Sequence, residues 1–199
     1  GRSVMRGTEV EWPLKRLQSA LALQASLQGR PELVSALIEA GKVEQWRPGQ
    51  VLIEQHASDR DVFFLLDGRV DVFVHGDHVA YRWKGEHVGE MAAINPKASR
   101  SATVSARLCT TALRVPGDAI ERVAEAHPEL WRGFAKELAQ RLYERSDIVK
   151  SFLEVGTMRR LAHALIEAGL ATADGRAWLL TGVRRATIES LPVQVVPEE

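Results

Sequence analysis

The segment from Gly85 to Ala106 contains the residues of this chain that are best suited to chemistry. It reads GEHVGEMAAINPKASRSATVSA and places Gly89-Glu90 ten residues ahead of Arg100-Ser101. A cyclic phosphodiester of a ribose needs a carboxylate for the sugar hydroxyl, a guanidinium for the phosphate, and backbone N–H groups that it can approach closely. This one loop offers all three, so it predicts a binding site for a cyclic nucleotide.

An ordinary surface ion pair between Glu90 and Arg100 is the alternative, and such a pair would contribute little to stability. Three features favour a binding site. Small residues near the pair leave the backbone open to a ligand. Residues 95–99 suit a short helical turn whose N–H groups could face an anion. Arg100 precedes a β-branched strand, so we expect its guanidinium at the wall of the sheet, where lower polarity strengthens a phosphate contact. Ser101 would add a hydroxyl donor.

The central part of the chain has the hydrophobic period of β-strands. Between Val43 and Val115 the period is two, with turn residues between short runs. We expect turns at Asp67-Gly68 and at Gly76-Asp77, the second in a tight hairpin. Short antiparallel strands of this kind predict a jelly-roll β-barrel. The predicted strands are Val43–Trp46, Val51–Gln55, Val62–Leu66, Arg69–Val74, His78–Trp83, Ala102–Ala106 and Thr110–Val115.

Helical periodicity flanks the predicted barrel on both sides. Residues 13–41 are predicted to be helical with a break at 29–31, Gly117–Ala126 forms a short helix, and a long helix starts at Pro128. A narrow apolar seam on the long helix predicts a coiled-coil homodimer through residues 128–152. The alternative is that this helix covers its own barrel. The seam consists of Leu130, Phe134, Leu138, Leu142 (or Arg141), Arg145, Val149 and Phe152.

These elements predict an α+β fold in four segments. They are an N-terminal helical segment (1–41), the β-barrel (42–126), the long helix (127–152) and a small mixed tail (153–199) that serves as an output domain or its remnant. The tail includes a further predicted helix, Met158–Ala168. ALIEAG occurs at 36–41 and again at 164–169, which we interpret as reused helix-end chemistry.

Composition narrows the class of protein. The 199 residues are 45% hydrophobic and 26% charged, with 26 basic and 26 acidic side chains, so no general positive charge favours nucleic acid or an anionic membrane. A single cysteine, Cys109, excludes an internal disulfide framework and fits a reducing compartment. No apolar run approaches the length of a membrane span. We therefore expect a cytoplasmic protein without a membrane partner.

Other candidate residues are weaker. His75 and His78 have a loose metal spacing but straddle a turn, so we expect solvated turn residues and no metal site. His87 is expected to be polar surface, although it could touch a ligand. Cys109 is expected to be a buried small hydrophobe. Because the sequence has no nucleotide-hydrolase loop, nucleophile elbow or metalloprotease motif, we expect no enzymatic activity.

The loop carries a family resemblance. It resembles the phosphate-binding cassette of the cyclic-nucleotide-binding domain shared by the catabolite activator family, protein kinase A regulatory subunits and gated channels. The resemblance covers roughly residues 30–150 and extends to the strand and turn signatures at 49–51 and 67–70. The cassette pattern, Gly-Glu followed by a turn and Arg-Ser-Ala, is matched by Gly89, Glu90, Arg100, Ser101 and Ala102.

The resemblance implies a role for each residue of the site. Glu90 would accept from the ribose 2′-hydroxyl, Arg100 and Ser101 would bind the cyclic phosphate, and backbone N–H groups around Met91 and Ala92 would assist. On the long helix, Arg141 would brace Glu90, while Arg145 and Ser146 fall where the family contacts the base. Arg145 replaces the threonine of the catabolite activator, which places an adenine preference in doubt. Cyclic UMP and cyclic CMP are therefore among the expected ligands.

The sequence defines the module that this domain would regulate less clearly than it defines the binding site. Residues 75–96 and 127–146 resemble the sensors of bacterial pyrimidine-cyclase (Pycsar) antiphage effectors, in which the domain precedes a TIR NADase or a membrane segment. Neither output is recognisable here.

The alternative is a transcription regulator, since residues 152–162 and 182–188 resemble the DNA-binding helices of the catabolite activator family. However, the positioning helix is absent, and residues 151–199 carry five basic against six acidic side chains, which disfavours DNA. A ligand-free dimerising scaffold is a third alternative, against which intact Glu90 and Arg100 argue.

Overall fold

A computed structural model describes residues 7–27, 30–95 and 97–152, with side chains as far as Tyr143. The strands of this part are β1 (Thr8–Glu9), β2 (Lys42–Trp46), β3 (Val51–Ile53), β4 (Val62–Asp67), β5 (Arg69–Val74), β6 (Asp77–Trp83), β7 (His87–Val88), β8 (Thr103–Ala106) and β9 (Thr110–Val115). The helices are α1 (Leu14–Ala22), α2 (Pro31–Ala40), α3 (Glu90–Ile94), α4 (Gly117–Ala126) and α5 (Glu129–Phe152), with a 3₁₀ turn at Ala25–Leu27.

The described strands form two antiparallel sheets. One has the order β1-β2-β9-β4-β7 and the other the order β3-β8-β5-β6. The chain passes from the first sheet to the second through Gly68, directly between β4 and β5. This is the jelly-roll arrangement of antiparallel strands that the period-two pattern predicts, so the predicted fold class is confirmed.

Strand β4 divides the core into two apolar clusters because successive side chains of a strand point to opposite faces. Phe63 and Leu65 belong to a cluster that draws on both sheets. Val62, Phe64 and Leu66 belong to a second cluster shared with the helices. With both faces covered, β4 is buried along almost its whole length. The helices are therefore part of the folded domain and not an appendage to it.

All seven predicted strands are present, with shifts at their ends, and Gly117–Ala126 is a helix with the predicted bounds. The hairpin turn lies one residue earlier than predicted. Val74 pairs with Asp77, so the turn residues are His75 and Gly76, with φ of 52° and 90°. Positive φ at both central positions is the turn whose twist suits a two-residue hairpin. The two-residue strands β1 and β7 were not predicted, because they are too short to show alternation.

The long helix begins at Glu129, as the position of Pro128 predicts. The chain divides into two compact units, residues 1–138 and 139–199, and the division falls within this helix. Within the first unit, Leu130 and Phe134 are fully buried in the cluster that the helices share with β4. The first part of the predicted seam therefore covers its own barrel. The homodimer through the rest of the helix stays a prediction, as do the boundaries of the four segments.

Candidate functional site

Gly89 and Glu90 stand at the junction of β7 and α3. β7 is anchored by antiparallel pairing to β4, and Gly89 follows it with φ of +94°, a left-handed conformation that turns the chain into α3. A Cβ at Gly89 would lie 2.6 Å from the carbonyl oxygen of Asp61 and 2.9 Å from Nη1 of Arg100. The position requires glycine both for its backbone conformation and for this close approach.

Arg100 lies against this junction and is 2% exposed. Its Nη1 donates to the carbonyl oxygen of Gly89 at 3.0 Å, and its Nη2 donates to that of Asp61 at 2.7 Å. Nε donates to the Asp59 carboxylate at 3.2 Å, and Nη2 forms a further short contact with the same oxygen. The sequence predicted a partly desolvated guanidinium at the wall of the sheet, and in the structure the guanidinium is buried against Gly89.

An ion-pair network stabilises Asp61, whose carbonyl oxygen accepts from Arg100. The Asp61 carboxylate accepts from Nε of Arg114 at 2.6 Å, and Glu44 accepts from Nη1 of Arg114 at 3.0 Å. Burial acts to lower the pKa of Arg114, but the hydrogen bonds and charges of Glu44 and Asp61 outweigh it and raise the pKa above its ordinary value. The loop that faces Arg100 is therefore held by a permanently charged residue of β9.

The structure also gives the burial of Glu90 and of the other cassette residues. Glu90 begins α3 with its side chain only 5% exposed. Ala92 is buried, whereas Met91 is 49% exposed. Ser101 is exposed and Ala102 half-buried. The structure thus brings Gly89 and Arg100 into contact, and Glu90 directly follows Gly89 in the chain.

The cassette backbone on the other side of Arg100 pairs with the loop after β3. The N–H of Arg100 donates to the carbonyl of Ala57 at 2.9 Å, and the carbonyl of Arg100 accepts from His56 at the same distance. Nε2 of Gln55 donates to the carbonyl of Ser101 at 3.1 Å. These backbone contacts fix the direction in which the Arg100 side chain leaves the chain.

Three predicted residues lie on α5. Arg141 belongs to the second compact unit and is half-buried. The side chains of Arg145 and Ser146 lie outside the described part of the structure. The roles suggested for these three residues therefore stay predictions.

The cassette contains a helix that the sequence analysis did not predict, in addition to the predicted turn. The helix is α3, Glu90–Ile94. The left-handed Gly89 starts it, and Asn95, with φ of −121° and ψ of 88°, ends it. The predicted turn follows α3: the N–H of Ala98 donates to the carbonyl oxygen of Asn95 at 2.9 Å, and that of Lys97 donates to Oδ1 of Asn95 at 3.3 Å.

His87 is the site residue that the sequence analysis misjudged. It is fully buried and not surface, with Nδ1 3.0 Å from Oε2 of Glu137 and Nε2 3.9 Å from Oε2 of Glu90. No pattern near His87 indicates this, because Glu137 is fifty positions away in the chain. His78 is exposed, as predicted, but it lies in β6 and not in the turn, with its ring 4.3 Å from that of Tyr81. Cys109 is exposed, and not the buried hydrophobe that was predicted.

Replacement of Gly89 by alanine tests the close approach at the cassette. Gly49 is the matched control, because its φ of +84° is similar but nothing lies within 4 Å of a Cβ there. We expect Gly49→Ala to cost about 1 kcal/mol of unfolding free energy for its backbone conformation. Gly89→Ala should cost a further 1–3 kcal/mol or so, as overpacking does. Urea denaturation measures both, and equal losses would contradict the packing of Gly89 against Arg100.

Comparison with known proteins identifies a cyclic nucleotide-binding domain in this chain. The sequence profile described as cyclic nucleotide-binding domain matches residues 43–127. The chain is 39% identical over 133 residues to the Pycsar effector protein PaPycTIR of Pseudomonas aeruginosa, covering 67% of this chain and 43% of that protein. It is 34% identical over 138 residues to BcPycTIR of Burkholderia cepacia, covering 69% and 46% respectively. The chain therefore spans less than half the length of these curated relatives.

Solved structures share the fold at low sequence identity. A cAMP-bound PfPKA-R structure matches with a TM-score of 0.56 and 17% identity, over 66% of this chain and 47% of that one. The sensor domain of the transcriptional regulator DNR from Pseudomonas aeruginosa matches with a TM-score of 0.55 and 16% identity, over 65% and 91%. At these identities the likeness supports the fold alone.

Within residues 7–27, 30–95 and 97–152, no group of three or more histidine, cysteine, aspartate or glutamate side chains could hold a metal ion. None of the helices described there is long and apolar enough to cross a bilayer.

Proposed function

This chain carries a cyclic nucleotide-binding domain related to that of Pycsar effectors, and from that premise we propose that it is a receptor for a 3′,5′-cyclic mononucleotide. The single observation that carries the proposal is the buried guanidinium of Arg100 in hydrogen-bond contact with Gly89, the residue before Glu90. A phosphodiester anion is strongly favoured beside a desolvated guanidinium. The carboxylate of Glu90, the residue after Gly89, would accept from a sugar hydroxyl.

Arg100 has the donors that a cyclic phosphate requires. Nε and Nη2 contact Asp59, and Nη1 gives one of its two N–H groups to Gly89. The second N–H of Nη1 would meet the first phosphate oxygen. The Asp59 side chain is 41% exposed, so water can solvate it when a phosphate oxygen replaces it at the guanidinium. The exposed Ser101 hydroxyl and the N–H groups of Met91 and Ala92 would complete the phosphate contacts.

The base would be recognised by α5. In this proposal Arg145 or Ser146 reaches the base, and Arg141 braces Glu90, as the family resemblance implies. An arginine donates hydrogen bonds and accepts none, so it favours a base edge rich in acceptors, such as the carbonyl oxygens of uracil or guanine. Cyclic UMP and cyclic GMP both have such an edge, and cyclic CMP is the other pyrimidine nucleotide to compare with them.

The receptor would regulate an output module. Because the relatives are named Pycsar effectors, we infer that the output serves antiphage signalling. Ligand binding would select one of two arrangements of α5, and residues 153–199 would respond to that shift. Dimerisation through residues 128–152 is part of this proposal. A transcription regulator is the alternative output.

A thermal-shift panel tests the ligand. The chain is heated with cyclic AMP, cyclic GMP, cyclic CMP or cyclic UMP, and one of them should stabilise the native state. At a hundredfold excess over its dissociation constant, that nucleotide adds about 2.7 kcal/mol to the unfolding free energy. The linear 5′-monophosphate of the same base is the matched control and should stabilise less. If none of the four cyclic nucleotides raises the melting temperature, the proposed function is wrong.

Retention on duplex DNA tests the alternative output. A DNA-binding tail would retain the ligand-loaded chain, and the affinity would fall steeply as salt increases. For an effector sensor we expect no such salt-dependent retention, with or without the nucleotide.

A further inference from the structure

A buried polar cluster joins three separate segments of the first compact unit. It consists of His87 of β7, Glu137 of α5, Ser26 of the 3₁₀ turn and Glu90 of α3. Nδ1 of His87 lies 3.0 Å from Oε2 of Glu137 and 3.3 Å from Oγ of Ser26. Nε2 lies 3.9 Å from Oε2 of Glu90. The histidine ring therefore stands between the carboxylate of the proposed ribose site and a carboxylate of α5.

The cluster is shielded from water. The His87 side chain is 0% exposed, that of Glu90 5% and that of Glu137 14%. Buried polar groups are costly unless they are hydrogen-bonded, and two buried carboxylates repel each other unless a donor lies near them. In its neutral or protonated form, an imidazole with a proton on Nδ1 can donate to Glu137. The burial of the Glu90 and Glu137 carboxylates beside one histidine is therefore not explained by stability alone.

Close packing holds the ring in one orientation. Its centroid lies 4.6 Å from that of Phe134 and 6.0 Å from that of Phe64. Gly133, the neighbour of Phe134 on α5, allows that helix to approach the 3₁₀ turn, because a Cβ there would overlap the carbonyl oxygen of Ser26. A shift of the first turns of α5 would therefore move His87, and a shift of His87 would move α5.

We infer that His87 is a positioning residue of the binding site, which holds the Glu90 carboxylate in place and links it to α5 through Glu137. The inference rests on the proposed function, because it concerns the carboxylate that would accept from the ribose hydroxyl. Glu137 and Ser26 fix Nδ1, and the opposite ring nitrogen faces Oε2 of Glu90. A hydroxyl that bonds to the Glu90 carboxylate changes its charge distribution next to His87, and α5 then receives the change through Glu137.

Two substitutions of His87 distinguish the contributions of its two ring nitrogens to binding. In His87→Gln the amide nitrogen reaches the position of Nε2, next to Glu90, whereas in His87→Asn it reaches only the position of Nδ1, next to Glu137. We expect His87→Gln to bind the stabilising nucleotide within about threefold of the parent chain. His87→Asn should bind it about tenfold more weakly, because no nitrogen then faces the Glu90 carboxylate.

Glu137 supplies a second, independent pair of variants. Glu137→Gln keeps an oxygen acceptor for Nδ1 and should retain parent affinity. Glu137→Leu removes the acceptor and should weaken binding about threefold, comparable to His87→Gln, because both variants lose the contact between His87 and Glu137. Glu125→Leu is the matched control, because Glu125 is an exposed residue of α4. Affinity is measured by calorimetry on the full chain at a temperature at which each variant is folded. A merely structural role would lower the melting temperature of His87→Asn and Glu137→Leu without changing their affinity.

The parent chain itself gives a readout that does not depend on the folding of variants. In ¹⁵N-edited NMR spectra, the imidazole nitrogens of His87 should shift when the stabilising nucleotide is added, while those of His78 should not. If the parent binds a nucleotide but the His87 resonances stay in place and all variants bind equally, the positioning role is wrong and the proposed function stands. If the parent binds none of cyclic AMP, GMP, CMP and UMP, the proposed function fails and this inference fails with it.

Discussion

Arg100→Ala is expected to reduce cyclic nucleotide affinity by a factor on the order of a hundred or more. The guanidinium would supply at least two charge-assisted hydrogen bonds to the phosphate, each contributing about 1.5–3 kcal/mol. Alanine offers no donor at this position. Calorimetric titration with the nucleotide that stabilises the parent chain measures the loss. Unchanged affinity would refute the assignment of Arg100 as the phosphate ligand.

Substitution of Arg100 also affects stability. The carbonyl oxygens of Gly89 and Asp61 both accept from Arg100. A buried acceptor that loses its donor costs about 1–3 kcal/mol. Circular dichroism should therefore show that Arg100→Ala is folded but melts at a lower temperature. The affinity must be measured well below that temperature.

Two further variants separate charge from geometry. Arg100→Lys keeps the positive charge but loses the planar fork of donors, so we expect an affinity between those of the parent and Arg100→Ala. Arg107→Ala is the matched control for the loss of an arginine, because Arg107 is exposed on the loop after β8. It should leave affinity unchanged. Equal losses in Arg107→Ala and Arg100→Ala would indicate a general electrostatic effect and not a phosphate contact.

Phe134→Ala is expected to cost about 3–5 kcal/mol of unfolding free energy, as the removal of a fully buried aromatic ring does. Phe134 is 0% exposed, and its ring lies 6.2 Å from that of Phe64 and 5.9 Å from that of Trp131. Together with Leu130 it attaches the start of α5 to the barrel. Urea denaturation, monitored by tryptophan fluorescence, measures the change.

Leu23→Ala is the control for Phe134→Ala. Leu23 is 80% exposed, so its truncation should change the unfolding free energy by no more than about 0.5 kcal/mol. A loss below about 1 kcal/mol in Phe134→Ala would show that α5 does not cover the barrel in solution, since the cavity left by a buried ring cannot cost so little. In that case the whole apolar seam would be available to a partner.

The arrangement of Arg100 has a consequence for how a nucleotide would enter. Arg100 already contacts the Asp59 carboxylate, so a phosphate must replace that contact or share the guanidinium with it. Because the Asp59 side chain is 41% exposed, its release to water is cheap compared with the release of a buried carboxylate. In the structure Arg100 is thus paired with Asp59, and a phosphate oxygen can replace the Asp59 carboxylate at the guanidinium.

The sequence by itself determined the barrel and the core of the candidate site. Period-two runs identified seven strands, because alternation of apolar and polar residues is a local property of a strand with one buried face. Pro128 marked the start of α5 in the same local way. The Gly89-Glu90 and Arg100-Ser101 pairs were recognisable because all four residues lie within one loop.

Only the tertiary structure decided what surrounds that loop. Asp59 and Arg100 are separated by 41 positions, and His87 and Glu137 by fifty, so neither contact leaves a periodic or local signal. His87 looked like a surface residue because nothing in its neighbours shows that the start of α5 and the 3₁₀ turn cover it. Burial is a property of the packed chain: a side chain is removed from water by elements that are distant in sequence, and their positions depend on the whole core.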